Sequence, residues 1–394
     1  MLDLGKISVQ LADMARQRHQ DVHSYNVKEA AALKALDKYR KNPRPFMEKI
    51  NSDDRHFFVA FPQGRIDGTF PLPGDLTSHT VMAVDGSQID VDTHEIVLCY
   101  VVNIGRVVLH YGTGDPPLMD SLPFLFYKDE DLYIQGKGEH FLIQEEDLAQ
   151  RRSSMEAQQL NELLINHRKD GSPAVALLDG TVVSWDKAGS AKRDIGGFTA
   201  PYYTDVFKTG EKLRIPVAGY ISGSRTALVV NTLRAGDCSQ PVMNCVACEY
   251  RIDPKAPCRR MEGLRDTTLF ASILSPGERS VCFYGGINVL PRQEWPSYRI
   301  GFFYINVGSE IARVEAPDYV LEDQELLDRL HWAIYYQAQK GMGYPVALQE
   351  AHHFAVVKRE EREAFFRLVE GQFVKQGIPC RVTSKELRKR TRIF

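Results

Sequence analysis

The sequence predicts an α/β fold, a mixed sheet flanked by helices, with a helical segment in front of it and a cysteine-bearing insertion. Three observations carry this. Apolar runs at 81–84, 174–178 and 217–221 have the unbroken hydrophobicity of strands buried in a core. Segments with helical spacing at 154–167, 322–339 and 345–357 are interspersed among and follow them. Strands mixed with helices in this order, without an internal repeat, point to a mixed-sheet α/β domain.

Length and composition bound the rest. The chain has 394 residues, 43% hydrophobic and 25% charged, with 29 glycines and 20 prolines, which suits one elaborated globular domain or two. That balance excludes disorder, low complexity and a small stapled scaffold. Lysine plus arginine number 49 against 51 acidic residues, a net charge of -2, so any nucleic-acid site must be a local groove rather than a global basic field. No apolar run approaches the roughly 20 residues that span a bilayer. The first ten residues carry no apolar signal-peptide core, so a cytoplasmic protein with no membrane association is expected.

In chain order, residues 1–40 read as helical, an appended segment within an N-terminal extension of residues 1–77. A short strand is expected at 56–60 and a Pro- and Gly-rich loop at 62–79. The run 81–84 stops at Asp85-Gly86. Strands at 96–103 and 106–111 flank a turn at Gly105, so three successive antiparallel strands are expected. After the helix at 154–167, the strand 174–178 again ends in Asp-Gly, at Asp179-Gly180. Following the strand 217–221, Ser224 is placed to cap a helix running to Leu233. Residues 236–260 break every period and form the insertion. Strands at 280–284, 298–306 and 310–314 follow, with Gly308 between the last two, and the final helix starts with Pro345 at its first position.

The two Asp-Gly segments carry the chemistry. Each delivers a carboxylate at the end of an apolar strand, followed by glycine and a hydroxyl residue: Asp85-Gly86-Ser87 and Asp179-Gly180-Thr181. Singly, each also reads as an ordinary hairpin turn. Together, on neighbouring strands, they would set two carboxylates side by side, where repulsion is costly unless a divalent cation such as Mg²⁺ or Mn²⁺ neutralises it. A phosphodiesterase site needs a further carboxylate, and the helix between the two strands offers Glu156 and Glu162. Its apolar stripe is Ala157, Leu160, Leu163 and Leu164. Glu156 lies about 40° from Leu160 and Glu162 about 200° away, so Glu156 points toward the sheet. A first-turn glutamate favoured by the helix dipole explains Glu156 equally well. Near the C-terminus, Gly343-Tyr344-Pro345 opens a helix bearing His352 and His353, about two turns on. His353 fits a structural role, whereas Tyr344 with His352 suits a metal or an attacking water.

These segments, with Ile300-Gly301-Phe302-Phe303-Tyr304, Glu310-Ile311-Ala312-Arg313-Val314-Glu315 and Ala351-His352, resemble the NurA nuclease family over residues 78–370. The resemblance implies an RNase H-like core and a Mn²⁺-dependent (or Mg²⁺-dependent) DNA nuclease with 5′-to-3′ exonuclease and single-strand endonuclease activity. It also implies a homodimer that works with the hexameric HerA translocase in DNA end resection. Carried over, it makes Asp85, Asp179 and Glu156 metal ligands, with Tyr344 and His352 completing the site. His352 stands where a plain RNase H site often has a carboxylate, which leaves it either as a ligand or as a proton carrier.

The cysteines depart from the family's minimal core. Of seven, Cys238, Cys245, Cys248 and Cys258 crowd into 21 positions with the spacing Cys-x6-Cys-x2-Cys-x9-Cys. A structural Zn²⁺ knuckle is the first reading, an Fe–S cluster the second and four unrelated reduced thiols the third. Lys187, Lys192, Arg193 and the Ser224-Arg225 pair are candidates for phosphate contact, or solvated surface charges. The tail, 371–394, gathers Lys385, Arg388, Lys389, Arg390 and Arg392, suiting DNA, the partner or solvent. Two other functions fit parts of the pattern: a nuclease of RNA or RNA–DNA hybrids, and an inert DNA-clamp or adaptor subunit. The full set of Asp85, Asp179, a glutamate and His352 argues against inertness.

Overall fold

The structure, a computed structural model, describes residues 3–51, 57–93, 95–135, 140–167, 172–182, 200–250, 253, 255–285 and 298–378. The chain divides into two compact units, one of Pro73–Tyr220, Arg292–Tyr298 and Ala316–Phe394, the other of Met1–Leu72, Ile221–Pro291 and Arg299–Glu315.

The first unit holds a mixed sheet of β1 (His79–Ile89), β2 (Tyr100–Tyr111), β3 (Leu118–Phe126), β4 (Ala174–Asp179) and β5 (Val217–Ile221) in the order β3-β2-β1-β4-β5. β1, β2 and β3 form an antiparallel meander, and β4 and β5 add in parallel. This order, with only β2 reversed, is the RNase H-like arrangement. Among the described residues the unit's longer helices are α1 (Glu145–His167), α2 (Ala200–Leu213), α3 (Gln324–Lys340), α4 (Val346–Ala355) and α5 (Arg359–Lys375). α1 lies on β1 and β2 and against α2, and α4 crosses β1 to β4. Residues Thr80 to Val84 and Ala174 to Leu178 are buried throughout, which is why these strands read as unbroken apolar runs.

Two glycines, Gly86 expected to end a strand and Gly105 expected in a turn, lie inside strands instead. β1 continues through Asp85-Gly86 to Ile89, and β2 is one strand with Gly105 in its middle, paired with Asp85. Both glycines admit a helix. A Cβ on Gly105 would lie 2.2 Å from the Ala351 carbonyl oxygen of α4, and one on Gly86 would lie 2.7 Å from Cγ of Arg152 in α1. Because successive strand residues face opposite sides, the two helices pack on opposite faces. The third strand of the meander is the edge strand β3, whose alternating exposure and Pro123 mask it in the sequence. Gly180, by contrast, has φ 92° and does end β4.

In the second unit the N-terminal helix Leu4–Lys41 brings Ala32, Leu36 and Tyr39 into a core with Phe46, Leu233, Phe270, Phe283, Phe302 and Tyr304. Its first half leaves Leu4, Val9, Leu11 and Met14 exposed. The expected strand at 280–284 is two short ones, Arg279–Ser280 and Phe283–Gly285, and of the one expected at 56–60 only Ala60, among the described residues 57–60, lies in a strand, Ala60–Pro62. Strands Ile300–Asn306 and Ile311–Pro317 flank Gly308 at φ 95°. Ser224 does not cap the helix that follows it. That helix is Leu228–Gly236, and the buried Asp266 carboxylate caps it by accepting from the amides of Val229 and Val230 at 3.1 and 2.8 Å. Pro345 is likewise the residue before α4 rather than its first. Among the described residues no helix is long and apolar enough to cross a membrane.

Candidate active site

β1 and β4 run parallel in register from Thr80 opposite Ala174 to Val84 opposite Leu178. Asp85 and Asp179 are the next residue of each strand, so their carboxylates leave neighbouring strands at the same level and on the same face. Asp179 has its pKa raised, first by burial and then by the charge of Asp85, while a hydrogen bond from Tyr344 and the proximity of His352 pull the other way.

Glu156 comes from α1, on the face of β1 that Gly86 presents, and the charges of Asp85 and Asp179 on the other face are near enough to act on it. The helix begins at Glu145, about three turns earlier, so Glu156 is not a first-turn residue and the dipole explanation falls away. A Cβ on Gly86 would lie 2.5 Å from Glu156 Oε1, and the bare glycine is what gives the carboxylate its place. Burial pushes the Glu156 carboxyl from 4.5 up to about 7, the charges of Asp85 and Asp179 add to the rise, and Arg152 opposes it. Glu162 is exposed on the same helix and acts on Arg106 instead.

α4 supplies the histidine. His352 Nδ1 lies 2.7 Å from Asp85 Oδ2, with the imidazole more than half exposed. The helix is held where Gly105 lets it approach: Asn103 Nδ2 donates to the carbonyls of Phe354 and Ala355 at 3.1 and 2.7 Å, and the Ser87 hydroxyl bonds the Ala355 carbonyl and accepts from Val357 N. Before it, Met342 at φ 54° and Gly343 at φ 113° turn the chain so that Tyr344 packs edge-on against Tyr220, ring centroids 5.4 Å apart, and donates to Asp179. His353 faces Glu350 at 3.7 Å, away from the carboxylates.

Asp85, Asp179, Tyr344 and His352 are thus brought together on one face of the sheet, and Glu156 stands on the α1 side within range of the charges of both aspartates. Three contributors escaped the sequence reading. Arg152 pairs with Glu156 at 3.3 Å and bonds Gln88 Oε1 at 3.3 Å; its signal was an i, i+4 partner one turn ahead of the glutamate. Ser87 and Asn103 clamp α4, and only the hydroxyl after Asp85-Gly86 hinted at this. Arg225 is exposed in the second unit. Lys187, Lys192, Arg193 and the basic residues of the tail lie outside the described residues.

Three carboxylates and an imidazole make the oxygen-rich donor set that suits a hard divalent cation. As the side chains stand, no three His, Cys, Asp or Glu among the described residues are gathered closely enough to hold an ion, so binding one would require them to rotate inward.

Two carboxylates level at the ends of adjoining strands of an RNase H-like sheet, with a third and an imidazole on flanking helices, are the groups from which a phosphodiesterase site can be built. Residues 79–357 match the family model of the NurA domain, and the chain belongs to the NurA nuclease family. It is similar to the crystal structure of the NurA nuclease from Sulfolobus solfataricus at 14% identity and a TM-score of 0.49, over 95% of this chain and 98% of that one. A structure of NurA bound to dAMP and manganese is similar at 12% identity and a TM-score of 0.36, covering 90% and 95%. The catalytic domain of human endonuclease V follows at 12% and 0.28, covering 88% and 99%. No curated protein matches the chain.

Proposed function

We propose that this nuclease is a divalent-metal-dependent DNA nuclease, a 5′-to-3′ exonuclease and single-strand endonuclease, acting as a homodimer with a hexameric HerA-type translocase in double-strand-break end resection. The observation that carries it is the level placement of Asp85 and Asp179 on parallel neighbours with Glu156 over Gly86. Asp85, Asp179 and Glu156 would hold the cation, which when bound neutralises the scissile phosphate and acidifies a water. Asp85 fixes the His352 ring, which completes the donor set or moves the proton of the attacking water. Tyr344 orients Asp179 by donating to it. A chain with a net charge of -2 holds DNA weakly on its own, and a translocase feeding the strand into the site would compensate by raising its effective concentration.

The test is digestion of end-labelled single- and double-stranded DNA with Mn²⁺ or Mg²⁺, with chelator as control and with RNA and hybrid competitors. Cation-dependent DNA cleavage whose product ladder starts at the 5′ end supports the reading. Cleavage unaffected by chelator, or preference for RNA, overturns it. Co-purification with a hexameric ATPase and the sedimentation mass of the nuclease alone test the partner and the dimer.

A further inference from the structure

Between the helix Leu228–Gly236 and the helix Asp266–Ala271 the described residues hold only the single 3₁₀ turn Pro257–Arg259. Ordered connections this long and this irregular are uncommon in a compact domain unless something ties them down. This one carries Cys238, Cys245, Cys248 and Cys258, all free thiols and all partly buried. Cys238 and Cys245 pack about Met243, Ile50 and Val59. Burial raises the Cys258 pKa, Arg234 opposes the rise, and the charges of the other three thiols add to it, so all three lie within electrostatic range.

Cations surround the group. Arg234 donates from Nε to the Cys258 carbonyl at 2.8 Å, lies over the Phe57 ring at 4.6 Å and feels the charges of Cys245 and Cys258. Lys49 Nζ donates to the Cys238 carbonyl at 2.5 Å.

We propose that Cys238, Cys245, Cys248 and Cys258 bind one zinc ion that staples this segment to the end of the helix Leu228–Gly236. Each thiol releases its proton to solvent and binds through sulfur, giving a tetrahedral Zn(S-Cys)₄ centre of charge 2−, which Arg234 and Lys49 offset. As at the nuclease site, the side chains must rotate inward to close on the ion. The proposal is independent of the nuclease reading.

The experiment uses the full chain, produced with zinc in the medium. Metal analysis, the visible spectrum and titration with a mercurial are applied to the wild type, to Cys245→Ser/Cys248→Ser and to Cys99→Ser as control. Expected are a colourless protein with one zinc per chain, zinc release as four thiols are mercurated, loss of zinc in the double variant and its retention in the control. Folded wild-type protein with only trace zinc overturns the proposal whatever the variants do. So does the visible absorbance of an iron–sulfur cluster, or a double variant that keeps its zinc.

Discussion

Glu156 is the carboxylate of the proposed site whose protonation the fold changes most. Its carboxyl is pushed from 4.5 up to about 7 chiefly by burial, and then by Asp85 and Asp179. A raised native pKa means that the folded protein keeps a proton which the unfolded chain has lost. The stability this contributes is therefore fully present below about pH 4.5 and lost as pH rises through about 7, on the order of 3 kcal/mol. In metal-free buffer, thermal melts should show stability falling from about pH 5 to about pH 8, with a smaller slope in Glu156→Gln. Because proton and cation compete for the same oxygens, Mn²⁺ should raise the melting temperature more at the alkaline end of that range. Gly86 tests the same residue from the other side. In Gly86→Ala the new methyl takes the place of Glu156 Oε1, the movable end of a side chain, and presses on Arg152 Cγ. Cleavage should fall at least tenfold, equivalent to about 1.4 kcal/mol of lost transition-state binding, while the protein still folds at a cost of about 1–3 kcal/mol. Rate assays and circular-dichroism melts on one preparation separate the two effects.

At the scale of elements, α4 carries His352 and is held by two strands through Ser87 and Asn103. Ser87→Ala with Asn103→Ala leaves carbonyls of Phe354 and Ala355 and the Val357 amide without these partners, and should destabilise the protein by about 1–3 kcal/mol. Since His352 rides on that helix, kcat should fall more than KM rises. Urea melts and steady-state kinetics check this, and a stability loss with unchanged kcat would mean that the clamp is structural only. The same contacts explain what the sequence could and could not show. β1, β4 and β5 were legible because strands buried on both faces leave unbroken apolar runs. Gly86 and Gly105 were misread because a glycine that admits a helix looks locally like one that makes a turn. The helix that Gly105 admits comes from residues some 250 positions away. β3 was missed because an edge strand with one solvated face and a proline carries a weak signal. In the site, Asp85, Asp179, Tyr344 and His352 were legible as motif residues and Glu156 through helical phase. Arg152, Ser87 and Asn103 act through neighbours that only the fold supplies.

At the scale of the whole molecule, the long N-terminal helix is two things in sequence. Leu36 is 1% exposed in the core of the second unit, whereas Leu11 is 50% exposed. Leu36→Ala should cost about 2–5 kcal/mol and Leu11→Ala should stay within about 0.5 kcal/mol of wild type, as read from denaturant melts. The net charge of -2 and the carboxylates at the ends of two central strands fit the proposal that a partner delivers DNA to the site. The central claim is that Asp85, Asp179, Glu156 and His352 act as one cation-dependent centre, and cleavage of end-labelled single-stranded DNA with Mn²⁺ by wild type and Asp85→Ala, both shown to be folded, tests it most directly. The substitution should reduce cleavage to the level of chelator-treated wild type; equal cleavage by the two proteins would contradict a shared cation centre.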